Sequence, residues 1–90
     1  MKIIEKKIWP KYFELIKQGK KTFEIRLADF EIREGDTLLL REWDPEKKAY
    51  TGRELRLEVT YVTNTKWQNH WSKEEIKNYG LWVIGFKVME

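Results

Sequence analysis

The hydrophobic rhythm of this chain changes at Gly19, and that change limits the fold more than any other feature. Upstream, Trp9, Tyr12, Phe13 and Ile16 recur at three- and four-residue spacing, the stripe of an amphipathic helix. Pro10 suits the first helical turn, where its missing N–H is not needed. Lys17 and Lys20 fall near the negative end of the helix dipole, and Gly19 stands where a helix-ending glycine belongs. Downstream, Lys21, Phe23 and Ile25 alternate with Lys20, Thr22, Glu24 and Arg26, which is the period of a strand. A switch of period within so few residues commits the chain to packing a helix against a sheet.

The remaining segments are punctuated in the same way. Lys2 to Ile8 reads as a first strand. Gly35-Asp36 turns the chain into Thr37–Trp43, whose Leu38-Leu39-Leu40 run predicts a strand covered on both faces. Asp44-Pro45 breaks that strand, and Tyr50-Thr51-Gly52 is expected to close a long hairpin loop. Leu55, Leu57, Val59 and Tyr61 then alternate with Glu54, Arg56, Glu58 and Thr60, a strand with one wet face. Ser72 and Glu75 have the spacing of a capping box, predicting a short second helix that ends at Tyr79-Gly80. Leu81–Val88 is the last strand, with Trp82, Ile84, Phe86 and Val88 on one side. The expected order is β-α-β-β-β-α-β in a single domain over residues 1–90. Short hairpin connections favour mostly antiparallel pairing. The fold class is therefore α+β: a small, mostly antiparallel β-barrel with a helix at its mouth and a short second helix.

Composition excludes several function classes. Ninety residues supply one core, most of whose apolar residues are spent on folding. With no cysteine, neither a disulfide framework nor a thiolate metal site is available. No apolar run approaches the roughly 20 residues that span a bilayer, and no signal peptide is visible, so a cytoplasmic location without membrane attachment is expected. Charged residues reach 37%, against a usual ~25%, mainly through Lys and Glu, which fits a heat-adapted source. The net charge of +3 is unevenly placed: residues 1–26 carry +5 and residues 27–90 carry −2. A phosphate-bearing partner would meet the basic end.

That end also holds the densest chemistry. A strand face carrying Lys20, Thr22, Glu24 and Arg26 combines cation, hydroxyl, carboxylate and guanidinium. Arg26 can grip a phosphate or carbonyl bidentately, while Glu24 accepts from an exocyclic amine or a ribose hydroxyl. The plainer alternative is a solvated ion pair between the two, worth little. Lys21 shares the side of Phe23 and Ile25, the side expected to face the core. Trp67 and Trp71 lie four apart in a polar loop beside Lys66 and His70, where they either stack on bases or cap the barrel end. His70 has no second His or Cys to complete a metal site, so neither a metal nor a cofactor is expected. Arg41 and Trp43 end a strand on one shared face, placed to stack on a base or on each other.

Taken in order, these residues resemble a known family. Trp9-Pro10, Tyr12-Phe13 and Gly19-Lys20-Lys21-Thr22-Phe23-Glu24-Ile25-Arg26 are similar to the ASCH domain, the activating-signal-cointegrator homology module. So are Gly35-Asp36, Arg41-Glu42-Trp43-Asp44-Pro45, Tyr50-Thr51-Gly52-Arg53-Glu54 and the final Val83-Ile84-Gly85-Phe86 strand. The resemblance implies a PUA-like barrel with a groove beside the first helix that binds RNA or nucleotide-like ligands. Lys20, Lys21, Thr22, Glu24, Arg26, Arg41, Trp43, Trp67 and Trp71 are its candidate binding residues here.

Some bacterial relatives resemble deacylases of N4-acetylcytidine that use a Lys, a Thr and a Glu near this motif. Lys21 matches the Lys, whereas Glu24 stands where those relatives keep the Thr. A carboxylate cannot replace a hydroxyl nucleophile without changing the chemistry. The alternative functions are thus a hydrolase of modified nucleosides or RNA working through Lys21 and Glu24, and a protein-interaction module using the wet face from Arg56 to Thr60.

Overall fold

The elements follow one another as the alternation predicts. The computed structural model describes residues 1–67, 77 and 79–89. They comprise β1 (Ile3–Ile8), α1 (Pro10–Lys17), β2 (Phe23–Leu27), β3 (Thr37–Asp44), β4 (Ala49–Asn64), a 3-10 turn (Thr65–Trp67) and β5 (Leu81–Val88). The second helix expected after Ser72 lies outside the described residues. No helix among the described residues is long and apolar enough to cross a membrane.

Helix α1 begins on the carbonyl of Trp9, which accepts from the N–H groups of Tyr12 and Phe13, with Pro10 in the first turn. It ends in a paired C-terminal motif. The Gly19 N–H donates to Ile16 O (3.0 Å) and the Lys20 N–H to Leu15 O (2.9 Å), with Gly19 at φ 77°. A side chain at that φ is strained, so the glycine that breaks the period also makes the turn.

The strands form one mixed sheet in the order β1-β3-β4-β5-β2. Three of its pairings are antiparallel; β1 and β3 run parallel, with Ile4 beside Leu38. That pairing is possible because α1 and β2 lie between them in sequence, enough chain for a crossover. The sheet curls into a half-barrel rather than the closed barrel expected. Its free edges are β1 and β2, and α1 leaves the end of β1 so that Trp9 and Tyr12 stand in the opening. The guanidinium of Arg26 spans the gap, donating from Nη2 to Lys7 O at 2.8 Å.

The core lies on the concave face. Leu38, Leu40, Leu57 and Ile84 are fully buried there, closed over by Phe13 and Ile16 of α1 and by Ile32. Trp82 joins them and donates its indole N–H to Phe30 O at 2.8 Å, satisfying its one polar group.

Several strand faces differ from the alternation. Phe23 and Ile25 are not core residues: they are 47% and 54% exposed, while Glu24 between them is 5% exposed. Strand β2 thus turns its polar side inward. Tyr61 also faces solvent, because a bulge between Val59 and Tyr61 inserts an extra residue and reverses the parity of the strand. Val62 then takes the inward place that Tyr61 was expected to hold. The β3–β4 turn is tighter than the expected long loop, occupying residues 45–48 with Lys48 in the left-handed region at φ 51°. Leu39 is half-buried on the outer face, so β3 is covered fully on one side only. Val88 is exposed at the end of β5.

Candidate functional site

The opening between β1 and β2 is a cleft of about 480 Å³, within the size range of small-ligand sites. Trp9, which caps α1, and Tyr12 of α1 form one wall, Phe23 and Ile25 of β2 another, and Lys21, Glu24 and Arg26 the base. Local structure explains each placement. Inward positions of β2 put Glu24 beside Ile84 and Arg26 beside Trp82 of β5. The turn after Gly19 brings the Lys21 N–H onto Leu15 O (3.1 Å), which folds Lys21 back toward the strand that follows it.

Three charged groups meet at the base. The Lys21 ammonium contacts Glu24 Oε1 and donates to Phe23 O at 2.6 Å. Arg26 Nε donates to Glu24 Oε2 at 2.8 Å. One carboxylate therefore sits between two cations, a group with net charge +1. Among the described residues each Glu24 oxygen has one partner, whereas a carboxylate has about four acceptor positions, room that a ligand donor can use. Burying Glu24 alone would be costly; flanking it with two cations makes its burial tolerable. Chemically, the cleft offers aromatic walls for a planar ring, an acceptor for amine or hydroxyl, and cations for an anion.

The other candidate residues are distributed differently. Lys20 and Thr22 are exposed and do not line the cleft. Arg41 and Trp43 lie on the outer face of the β3–β4 hairpin. There Trp43 meets Tyr50 edge-on, ring centroids 5.1 Å apart, and Arg41 lies over Tyr50 at 3.9 Å while pairing with Glu5 at 3.1 Å. Lys7 joins the two regions, since it lines the cleft and sits 3.8 Å above the Trp43 ring. Trp67 is largely exposed yet packs edge-on against Trp82 at 5.5 Å, which fits the capping alternative. Trp71 and His70 lie outside the described residues. Among the described residues no group of three or more His, Cys, Asp or Glu is arranged for a metal ion.

Trp9, Tyr12 and Lys7 were not among the predicted site residues. The helical stripe contains the first two, but a stripe does not distinguish a core face from a cleft wall. A second buried carboxylate was also missed. Glu42 is 2% exposed and accepts two bonds from Arg53, both 2.8 Å, and one from the Thr51 hydroxyl at 2.6 Å. Arg53 Nη2 also lies 3.0 Å from Glu14 of α1, and its guanidinium covers the Phe13 ring at 4.3 Å. This cluster fastens α1 to β3 and β4.

The cluster gives the fold an acid limit. The Arg53 guanidinium, helped by Thr51, holds the Glu42 carboxyl below its ordinary 4.5 although burial opposes this. Glu42 in turn pushes the Arg53 guanidinium further up. Burial would raise the Asp36 carboxyl, but backbone N–H groups of Arg33 and Lys2 hold it below its ordinary 3.8. A carboxyl depressed in the folded state stabilises the fold fully above its unfolded value and loses that contribution as pH falls through the folded one. Urea midpoints should therefore be flat from about pH 7 to 5 and fall below about pH 4.5. Glu42→Gln should lower stability at pH 7 by about 2 kcal/mol, less than for a fully buried pair because Arg53 can return to solvent. It should also flatten part of the acid slope, leaving the share due to Asp36.

Comparison with known proteins places this chain in a family. A domain of unknown function, DUF3850, matches residues 3–73, which hold β1 through β4 and the cleft's Lys7, Lys21, Glu24 and Arg26. The chain belongs to the DUF3850 family. It is 43% identical over 63 residues to an uncharacterized 12.9 kDa protein in the GpA 3′ region of Escherichia phage P2. That match covers 70% of this chain and 56% of the phage protein, so the chain spans about half the length of that relative. The crystal structure of hypothetical protein PH0355 has a similar fold, with a TM-score of 0.64 at 22% identity, over 99% of this chain and 100% of that one. The DUF3850 match covers all described residues that line the β1–β2 opening, whereas β5 lies beyond it.

Proposed function

We propose that this DUF3850 domain binds RNA or a nucleotide-like ligand in the β1–β2 opening, as an ASCH-type, PUA-like module. The observation that carries the reading is a carboxylate buried between two cations at the base of an aromatic-walled cleft. A nucleotide uses all three components: Trp9 or Tyr12 stacks on the base, Glu24 accepts from an amine, and Lys21 and Arg26 face the phosphate or carbonyl. The basic balance of residues 1–26 draws an anion to this end. Lys7 extends the path toward Trp43 and Tyr50, where a flanking nucleotide would lie.

Titrating short RNA oligonucleotides and mononucleotides at low salt tests the reading. Affinity should fall steeply with salt, and Arg26→Ala should weaken binding across sequences and make the salt slope shallower by about one phosphate contact. Absence of binding to every RNA and nucleotide at low salt would sink it. Direct contact between the Lys21 amine and the Glu24 carboxylate favours a second reading, hydrolysis of acylated nucleosides.

A further inference from the structure

We propose that the outer face of β5 and β2, together with Tyr61 of β4, binds a second copy of this chain. Strand register places the patch. Phe23 pairs with Gly85 and Gly85 with Tyr61; Ile25 pairs with Val83 and Val83 with Thr63; Leu27 pairs with Leu81. Phe23, Ile25, Leu27, Leu81 and Tyr61 are all exposed, Tyr61 by 61%. They form one continuous surface over three strands rather than scattered apolar residues.

The chemistry of the face selects its occupant. None of these outward positions carries a charge; Lys87, paired with Glu58 at 3.6 Å, marks one edge of the patch, and the Lys21 ammonium, 5.2 Å from the Phe23 ring centroid, marks another. A neutral apolar face can meet its own copy about a two-fold axis without opposing like charges. The five side chains leave on the order of 500 Å² of apolar surface, at the upper end for a monomer. Two copies together would cover about 1,000 Å², the lower limit of a specific interface, so the dimer is weak and concentration-dependent.

Edge-to-edge pairing of β2 is the competing geometry, and the structure opposes it. Glu24 and Arg26 point inward on that strand, and Arg26 already reaches across the free edge to Lys7 O. Inward charges on an edge strand are a known obstacle to pairing with another strand. The outer face of the sheet is left as the contact. Phe23 and Ile25 belong to both the face and the cleft wall, so a docked copy would stand beside the cleft.

Analytical ultracentrifugation of the full chain from about 1 µM to 1 mM tests this, spanning dissociation constants expected of so small an interface. The expected result is a monomer–dimer equilibrium within that range. Tyr61→Glu and Leu81→Lys, neither lining the cleft, should each weaken it by at least about tenfold. Ile3→Lys, an exposed apolar position on β1, should leave it unchanged. Independently of any variant, amide shifts of the wild-type protein on dilution should concentrate at residues 23–27, 61 and 81–85. A monomer at every concentration, an equilibrium indifferent to both patch variants, or dilution shifts centred elsewhere would each overturn the proposal.

Discussion

Ile84→Ala should cost about 3–4 kcal/mol and lower the melting temperature by roughly 15–25 °C. Ile84 is fully buried at the centre of β5, between Val62 of β4 and Glu24 of β2. Removing three carbons there loses their transfer free energy and leaves a cavity that hydrogen-bonded strands on both sides cannot close. A domain of this size holds only about 5–10 kcal/mol in total, so the loss is a large share of it. Urea denaturation, with the unfolding slope unchanged, gives the size directly. Ile3→Ala, on the exposed side of β1, should change stability by less than about 0.5 kcal/mol. Were Ile84→Ala to cost as little as that, the hydrophobic core would not be centred on β5.

The parts of this fold legible in sequence are those where local chemistry and tertiary need agree. Gly19 ends α1 because the C-terminal turn requires its positive φ, a requirement visible in the residue itself. In β5, Trp82, Ile84 and Phe86 are buried as their alternation predicts, since one face of that strand meets the core. Where the reading fails, something non-local intervenes. Parity in β4 is reversed by the bulge before Tyr61, which depends on the pairing of β4 with β5. Strand β2 alternates as its period predicts, but its inner side carries the polar residues and its outer side the apolar ones. At the edge of an unclosed sheet the inner side borders an opening, and polar groups occupy it.

The candidate site divides in the same way. Lys21, Glu24 and Arg26 were named from residue types and spacing, and the structure brings them within hydrogen-bond reach. Lys21 arrives from the turn before β2 rather than from a strand face, so its parity carried no information. Trp9 and Tyr12 were visible as apolar residues and invisible as cleft walls. The inward position of Glu42 follows from its alternation with Leu38 and Leu40, but its partners Arg53 and Thr51 meet it only when the β3–β4 hairpin forms.

Glu24→Ala should separate recognition of a base from attraction to its phosphate, and this is the largest effect expected on binding. Among the described residues that line the cleft, Glu24 is the only one with an anionic side chain. Removing it leaves Lys21 and Arg26 without their shared partner and makes the base of the cleft more positive. Affinity for a simple polyanion should hold or rise, since Coulomb attraction strengthens. Discrimination among nucleobases should instead fall by about tenfold or more, the worth of one well-placed acceptor. Competition titrations with the four nucleotides against polyphosphate measure both quantities on one protein. Loss of polyanion affinity equal to the loss of base preference would show that Glu24 only props the two cations in place, and would remove its reading role. The same substitution decides between binding and turnover. Hydrolysis of acylated nucleosides through the Lys21–Glu24 pair must vanish in both Lys21→Ala and Glu24→Ala, while a binding module releases no product in the wild type and changes only its selectivity.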